Sequence, residues 1–242
     1  MLSLAAMVRL LLACVLALVS LPAMAQGSLQ GLDHIPIVVR DLEQAKTDFE
    51  ALGFMLKPGR PHANSLRNLH AKFSDGTELE LISPSTPTDD LSHRYVDWLK
   101  QGEGPVALGL FAPQGSPAPI EGIFFDRRQR SLTDRPEHFA HPNSAWTLAA
   151  AWVAGLNGLQ ITPGARRCSP FGTPLGVLRL PEGEIVVLPT SAQRLAGRPI
   201  VGATVSVASL DPVHRFVPRP FEGCTDSLWV ETHGLWLEFR AR

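Results

Sequence analysis

The sequence lacks the features of several large functional classes. Only 19% of its 242 residues are charged, and 22 basic residues stand against 23 acidic ones. Because nucleic-acid binding needs a basic surface, nucleic acid is not an expected partner. The chain has no Walker or dinucleotide-binding glycine pattern and no Gly-x-Ser-x-Gly context for a nucleophilic serine. The function must therefore be sought outside nucleotide binding and serine hydrolysis.

Long apolar runs are also scarce, and the one example lies at the N terminus. Residues 1–25 contain a single positive charge, Arg9, then a run rich in Leu, Ala and Val, and finally a small-x-small sequence before Gln26. This pattern is typical of a secretory signal peptide. The run is short for a bilayer span and no comparable run comes after it. We expect an exported, periplasmic protein without a membrane span.

Cysteine is rare, with three residues in the chain. Only Cys168 and Cys224 lie beyond the signal peptide, and in an oxidising compartment they can either pair or remain as two buried thiols. The sequence does not choose between these alternatives. It also leaves the oligomeric state open, with a homodimer as one option.

The segment after the signal peptide contains a strand and then a helix. Over residues 34–39, Ile35, Ile37 and Val39 alternate with His34, Pro36 and Val38. A strand here buries the odd-numbered side chains and turns His34 to the opposite face. Asp41 is a good helix N-cap, an apolar stripe comes after it, and Gly53 is placed as the C-terminal stop. We predict a strand followed by an amphipathic helix.

A hairpin is predicted next, because residues 69–73 and 77–82 alternate at period two around Ser-Asp-Gly. If residues 74–76 form a three-residue loop with Gly76 in the left-handed region, His70 lies opposite Glu80. A two-residue loop would mix polar and apolar side chains on both faces. The three-residue register is preferred.

This register suggests a metal site. His70 and Glu80 become cross-strand neighbours, and His34 joins them if its strand lies alongside. Two imidazoles and a carboxylate suit Zn²⁺, Fe²⁺, Mn²⁺ or Ni²⁺, and Glu78 is a candidate general base. The alternative is a set of half-buried, hydrogen-bonded histidines with Glu78 and Lys72 as a solvated ion pair.

Other polar residues are candidates for ligand binding, each with turn formation or strand-entry hydrogen bonding as its alternative. They are His62, Asn64, Asn68, His141 and Asn143. Further strands are predicted near residues 106–111, 146–153, 177–180, 185–188, 203–207 and 235–239. We interpret residues 26–242 as about four degenerate copies of one small module, spanning approximately 31–84, 105–140, 144–190 and 198–242.

With these motifs in view, the chain resembles the glyoxalase-like domain proteins of the vicinal oxygen chelate superfamily. The resemblance rests on residues 32–42, 51–54, 75–82, 141–145 and 233–239, and it is strongest over 31–84. It implies an α+β fold of βαβββ modules paired into curved mixed sheets around a cavity. It also implies a small-molecule ligand and a divalent metal held by the first-strand His and last-strand Glu of a module.

Those positions are His34 and Glu80 in the first module and Glu238 in the last. Ala107, Ala203 and Val186 stand where further ligands would fall. Three options remain open: a rearranged metal site using His70, a metal-free binding cavity, and a lapsed site. The functions that remain open are a metal-dependent lyase, isomerase or dioxygenase acting on an oxygen-rich molecule, a sequestering protein with an apolar cleft at Trp146 and Trp152, and a protein-interaction module.

Overall fold

The computed structural model describes residues 29–112, 122–126, 128, 130–156, 169–172, 176–217 and 226–241. The predicted signal peptide, Cys168 and Cys224 lie outside these residues. The described strands are β1 (Gly31–Leu32), β2 (His34–Val38), β3 (Lys57–Pro58), β4 (Leu66–Lys72), β5 (Glu78–Pro84), β6 (Gly104–Pro105), β7 (Leu108–Phe111), β8 (Ile123–Asp126), β9 (Ala145–Ala154), β10 (Gly176–Arg179), β11 (Glu184–Leu188), β12 (Ile200–Val207), β13 (Ser227–Thr232) and β14 (Leu235–Ala241). The described α-helices are α1 (Leu42–Ala51), α2 (Asp90–Gln101) and α3 (Leu210–Val213), and Pro136–Phe139 and Thr190–Ala192 are short 3-10 helices.

The first sheet has five strands in the order β3-β4-β5-β2-β6. Strands β2 and β5 are parallel, with α1, β3 and β4 between them in sequence. This is the predicted strand–helix–strand–strand–strand unit, and the mixed α+β fold class is confirmed. Among the described residues, no helix is long and apolar enough to cross a bilayer.

The β4–β5 hairpin adopts the predicted register. Gly76 has a φ of 93°, and the Phe73 N–H donates to the Thr77 carbonyl at 2.9 Å across the three-residue loop. His70 is consequently opposite Glu80. The loop residue that tolerates a left-handed backbone thus determines which side chains share a face.

Helix α1 also begins and ends as predicted. The Asp41 side chain accepts from the N–H groups of Glu43 and Gln44 at 2.9 and 3.1 Å, which satisfies donors of the first turn. Gly53 lies just after the helix with a φ of 82°. A Cβ there would come within 2.9 Å of the Phe216 ring and of Asn143, so glycine is required by both backbone and space.

The second large sheet has six strands in the order β10-β11-β9-β12-β14-β13. It contains two units joined edge to edge, because β9 pairs antiparallel with β12. In each unit the first and last strands are parallel, as β2 and β5 are in the first sheet. A third sheet of three short strands has the order β1-β7-β8, with β7 and β8 parallel.

The main core lies between the apolar face of the first sheet and one face of the six-stranded sheet, with α1 packed into it. Phe49, Phe73, Leu148 and Phe239 are among its fully buried members. Complete burial of a side chain of this size contributes about 1.5–3 kcal/mol. Because the core uses one face of β2, β4 and β5, their other side chains point away from it.

That opposite face of the first sheet, here called the polar face, carries His34, Asn68, His70, Lys72, Glu78 and Glu80. One end of it is apolar and covered by α2, where Tyr95 packs with Val38, Leu66 and Ile82. Helix α2 was not predicted from the sequence. It begins with a capping box, in which Asp89 and Ser92 bond each other's backbone.

Candidate functional site

A cleft of about 700 Å³ opens on the polar face at His34 and Glu80. Its walls are aromatic, formed by Tyr95 and Trp98 of α2 and by Phe124 of β8. Arg94, which is exposed on α2, also lines this cleft. We call this cavity the His34 cleft. It combines two titratable side chains with apolar walls and an exposed cation, which are features of small-molecule sites.

His34 is fixed in the cleft from two sides. Its Nδ1 lies 2.5 Å from Oδ2 of Asp33, and its ring packs edge to face on Phe124 with the centroids 4.8 Å apart. If Asp33 is ionised, Nδ1 carries the proton and donates it to that carboxylate. The other nitrogen, Nε2, then lies 3.7 Å from Oε2 of Glu80, which is beyond hydrogen-bonding distance.

The surroundings raise the pKa of His34 above its ordinary value. Burial alone would lower this pKa, but the hydrogen bond to Asp33 and the negative charges of Glu80, Asp33 and Glu78 outweigh burial. A raised pKa makes the free ring nitrogen a stronger base than that of an ordinary histidine. The site can therefore accept a proton at Nε2 or return one.

Glu80, on β5, is positioned by a side chain of β4. Its Oε1 accepts a hydrogen bond of 2.6 Å from the Asn68 amide, while Oε2 faces His34. Gly59 permits this arrangement, because a Cβ there would lie 1.7 Å from the Asn68 side-chain oxygen. Burial and the charge of Glu80 together raise the pKa of Tyr95, so the phenol remains protonated. Asn68, a predicted ligand-binding residue, thus orients a carboxylate of the cleft.

His70 and Glu78 form a second pair beside the first. Although His70 is opposite Glu80 in the register, its Nδ1 lies 3.3 Å from Oε1 of Glu78. Lys72 lies 3.1 Å from the other oxygen of Glu78, so the two residues named as an alternative ion pair do meet, but they are largely buried and not solvated as that alternative assumed. Burial opposes ionisation of Glu78, but His70, Lys72 and His34 outweigh it and lower its pKa to about 2. Glu78 is a stable carboxylate and a weak base.

The predicted metal ligands are therefore distributed over two pairs. Among the described residues, no three His, Cys, Asp or Glu side chains converge as a metal-binding group. His34 and Glu80 supply two donors, whereas catalytic zinc sites use three protein ligands. On the β8 side, the cleft is lined by the Ile123 and Phe124 side chains, and neither of these can coordinate a metal. These residues do not fit the three-ligand site predicted from His34, His70 and Glu80.

Two candidate ligand-binding residues, His62 and Asn64, lie away from the His34 cleft. They line a shallow depression at the N terminus of α2. The Asn64 amide donates to Asp89 at 3.1 Å and its oxygen accepts from the Leu66 N–H at 3.4 Å. Asn64 therefore holds the loop before β4 against the cap of α2.

His141 and Asn143 also lie outside the His34 cleft, at the junction of the two large sheets. His141 accepts from the Met55 N–H at 3.0 Å, and its Nε2 lies 2.9 Å from the Lys72 carbonyl. Burial lowers the pKa of His141, which favours the neutral ring. Asn143 is fully buried, donates to the Leu52 carbonyl and accepts from the Ala145 N–H. Both side chains join α1 and the hairpin to β9.

Glu238 lies on the outer face of the six-stranded sheet, where it is 2% exposed. The Thr204 hydroxyl donates to its carboxylate and accepts from the indole N–H of Trp152. The expectation that Trp152 lines an open cleft is wrong, because this side chain is completely buried against Trp229. The last-module glutamate is therefore packed beneath aromatic rings.

The sequence did not indicate several residues that complete the His34 cleft. Asp33 adjoins His34 in the chain, and an acidic residue next to a candidate histidine is a signal that could have been used. Tyr95 and Trp98 belong to α2, which was not predicted. The apolar and aromatic residues at 91, 95 and 98 have the spacing of one helix face, and this signal could have been used. Phe124 has no local signal, because only the tertiary fold brings β8 to β2.

Residues 32–112 match the family described as Glyoxalase-like domain. No curated protein matches the chain significantly. Among solved structures, a hypothetical protein from Staphylococcus aureus is 11% identical with a TM-score of 0.55, covering 87% of this chain and 99% of its own.

Two further structures are similar. A variant of 4-hydroxymandelate synthase from Streptomyces coelicolor is 10% identical with a TM-score of 0.59, covering 88% of this chain and 93% of its own. Methylmalonyl-CoA epimerase from Mycobacterium tuberculosis is 26% identical over 35% of this chain and 57% of its own, with a TM-score of 0.29. The full-length likenesses concern the fold.

Proposed function

Because this chain carries a glyoxalase-like domain at residues 32–112 in a fold of the vicinal oxygen chelate type, we propose that it binds a small oxygen-containing molecule in the His34 cleft. We further propose that His34 exchanges a proton with that molecule, as an isomerase or lyase requires. The observation that carries the proposal is the Asp33–His34–Glu80 arrangement at the floor of an aromatic cleft.

Different residues of the cleft contact different parts of the proposed ligand. Tyr95, Trp98 and Phe124 offer an apolar surface for a ring or chain, and Arg94 is placed to attract a carboxylate. His34 Nε2 and Glu80 Oε2 face each other across 3.7 Å, where a ligand's oxygen or acidic C–H can approach both. The ligand class is an aromatic or aliphatic keto acid.

The proton transfer uses protein groups alone. Asp33 holds Nδ1–H of His34, so Nε2 is the atom that accepts a proton from carbon next to a carbonyl. Asp33 and Glu80 stabilise the imidazolium that results, and the same nitrogen returns the proton to a neighbouring atom. The raised pKa of His34 makes Nε2 a stronger base than the nitrogen of an ordinary histidine.

Non-catalytic sequestration is the second candidate, and the aromatic walls favour it. An apolar cleft with few polar groups can retain a ligand without chemistry. In either case we propose that the protein acts after export. This rests on the signal-like residues 1–25, and N-terminal sequencing of the periplasmic protein would find Gln26 first.

The test uses 3-benzoylpropionate, which combines an aromatic ring, a ketone and a carboxylate. Calorimetry should detect saturable binding to the wild type, and NMR in D₂O should show protein-dependent loss of the protons next to the ketone. His34→Gln should abolish deuterium exchange, whereas His214→Gln, at an exposed histidine, should retain it. Binding without exchange favours sequestration, and no binding of this or related keto acids contradicts both candidates.

A further inference from the structure

The aspartate that holds His34 lies at a break between two strands. Strand β1 ends at Leu32 and belongs to the three-stranded sheet, whereas β2 begins at His34 and belongs to the five-stranded sheet. Along a continuous strand, successive side chains point to opposite faces. Asp33 nevertheless reaches its neighbour, since its Oδ2 lies 2.5 Å from Nδ1 of His34. The contact that orients this imidazole therefore depends on how the break is held.

Backbone hydrogen bonds hold one part of this break. The Asp33 N–H donates to the Gly109 carbonyl at 2.9 Å, and the Asp33 carbonyl accepts from the Glu78 N–H at 3.1 Å. Gly109 also leaves room for the imidazole, because a Cβ there would lie 3.0 Å from Nδ1 of His34. These hydrogen bonds involve only the main chain of Asp33, so they do not fix the direction of its carboxylate.

Arg128, just after β8 in the chain, reaches the break with its guanidinium. Its Nη2 donates to the Leu32 carbonyl, and its Nε lies 3.8 Å from Oδ1 of Asp33, which is an ion-pair distance. That Nε is buried and has no hydrogen-bond partner among the described residues. The Asp33 carboxylate thus has the His34 ring at one oxygen and a positive charge near the other.

The Arg128 side chain is itself held by two further contacts. Its Nη1 donates to the carboxylate of Glu182, between β10 and β11, and its guanidinium lies 4.5 Å from the centroid of the Phe111 ring. The side chain is 9% exposed. Because the planar guanidinium has several donors in a rigid arrangement, these contacts fix its position beside Asp33.

The charges around His34 give this position its importance. Three carboxylates, those of Asp33, Glu78 and Glu80, act electrostatically on the His34 ring. Like charges repel one another, and Asp33 is only 5% exposed to solvent that could screen it. Arg128 supplies the opposite charge at the Asp33 oxygen that does not contact the ring. The carboxylate can therefore remain turned toward Nδ1 in spite of its acidic neighbours.

We propose that Arg128 is a positioning residue, which holds the Asp33 carboxylate at Nδ1 of His34 and thereby keeps this ring in the Nδ1–H tautomer. In this tautomer Nε2, the nitrogen that faces Glu80, is free to accept a proton. If Asp33 turns away, the ring proton can occupy Nε2, and the cleft then loses its base. Arg128 acts only through Asp33, since it does not line the His34 cleft. The tautomer is a property of the free protein, and only its catalytic consequence rests on the proposed function.

The test measures the tautomer of His34 by ¹⁵N NMR of the ring nitrogens, at an alkaline pH where the ring is neutral. The signals are assigned by their loss in His34→Gln. Arg128→Gln removes the charge beside Asp33, and Arg128→Met, with an unbranched side chain, is the second variant if the first does not fold. Glu182→Gln is the matched control, because it removes a half-exposed carboxylate that pairs with Arg128 and leaves both contacts of Arg128 with the break.

We expect the Nδ1–H form to predominate in the wild type and in Glu182→Gln. In the Arg128 variants the ratio of the Nδ1–H form to the Nε2–H form should fall about tenfold, because the ring proton loses a hydrogen bond to a charged acceptor. The proposal is overturned if the wild type is in the Nε2–H form, if the ratio is unchanged in a folded Arg128 variant, or if Glu182→Gln lowers the ratio equally.

The catalytic consequence is measured separately by deuterium exchange into 3-benzoylpropionate. Arg128→Gln should lower kcat and leave KM nearly unchanged, since Arg128 lies outside the lining of the cleft. If the wild type does not exchange deuterium, the proposed function fails, whereas the tautomer ratio still decides the role of Arg128. If the ratio falls and kcat does not, the role of Arg128 in proton transfer is overturned.

Discussion

The outer faces of the two large sheets have similar strand pairing but different surfaces. On the first sheet, Glu80 lies on a strand parallel to β2 and reaches a cleft of about 700 Å³. On the six-stranded sheet, Glu238 lies on a strand parallel to β12 but is 2% exposed beneath aromatic side chains. The same backbone unit therefore builds an open site in one place and a packed layer in the other.

Side-chain size accounts for the difference. Trp152, Trp229 and Phe171 meet edge to face on the outer face of the six-stranded sheet, with centroids 5.0 and 6.3 Å apart in successive pairs. The positions around Glu80 carry His34 and Asn68, and aromatic rings stand at the walls of the cleft. Hence the Glu80 carboxylate lines a cleft, whereas the Glu238 carboxylate is enclosed by its neighbours.

The largest effect should come from removing a buried aromatic side chain from the outer face of the six-stranded sheet. Trp152→Ala removes a completely buried indole and its hydrogen bond to Thr204, so we expect the free energy of unfolding to fall by about 3–5 kcal/mol. Trp98→Ala, at a partly exposed cleft wall, should cost less than half as much. Urea denaturation compares the two, and equal losses would contradict the distinction between filled and open faces.

Acidification should remove the stability that the ionised Glu78 side chain contributes on the polar face. The pKa of Glu78 is lowered to about 2, so its contribution to stability is complete above its ordinary pKa of 4.5 and is lost as pH falls through about 2. The loss amounts to at most about 3 kcal/mol. Glu78→Gln should flatten the dependence of the unfolding free energy on pH between 5 and 2. Glu43→Gln, on α1, should leave it steep.

Asn143, at the junction between the two large sheets, should contribute to the stability of the fold and not to ligand binding. Asn143→Ala leaves the Leu52 carbonyl and the Ala145 N–H without their partner, which should lower the unfolding free energy by about 1–3 kcal/mol. The dissociation constant for 3-benzoylpropionate should not change. A large change in that constant, measured on the folded variant, would place Asn143 in the ligand site as the sequence suggested.

The smallest expected effect concerns the protonation of His34. Its raised pKa means that its contribution to stability is complete below 6.5, the ordinary value, and is lost as pH rises through the pKa of the folded state. Histidine ¹⁵N NMR should place the midpoint of His34 above 6.5 and lower it in Glu80→Gln. Thr204→Val, on the packed face, should leave the midpoint unchanged, and a shift there would show that the two faces are coupled.

Much of the first module could be predicted because its signals are local. Alternation identified the polar face, Gly76 determined the hairpin register, and Asp41 with Gly53 marked the ends of α1. The His34 and Glu80 neighbourhood could be inferred from these. In contrast, register alone misplaced the His70 side chain, whose Nδ1 lies 3.3 Å from Oε1 of Glu78 although His70 is opposite Glu80.

The cleft walls could not be predicted in the same way. Phe124 reaches His34 only through the parallel pairing of β7 with β8, and although the sequence predicted a strand at residues 106–111, which contains β7, it gave no signal for β8. Whether the Trp152 side chain is buried or exposed depends on its contacts with Trp229 and Thr204, which are distant in the chain. Local patterns indicate faces, whereas long-range packing decides which face remains open.

The most direct test monitors all tryptophan indole N–H signals in one ¹H–¹⁵N NMR spectrum, assigned by single Trp→Phe variants, during titration with 3-benzoylpropionate. We predict that the Trp98 signal shifts with a saturable dependence on concentration, while the Trp152 and Trp229 signals do not move. A saturable shift of Trp152 or Trp229 with Trp98 unchanged would contradict the assignment of the ligand site to the His34 cleft.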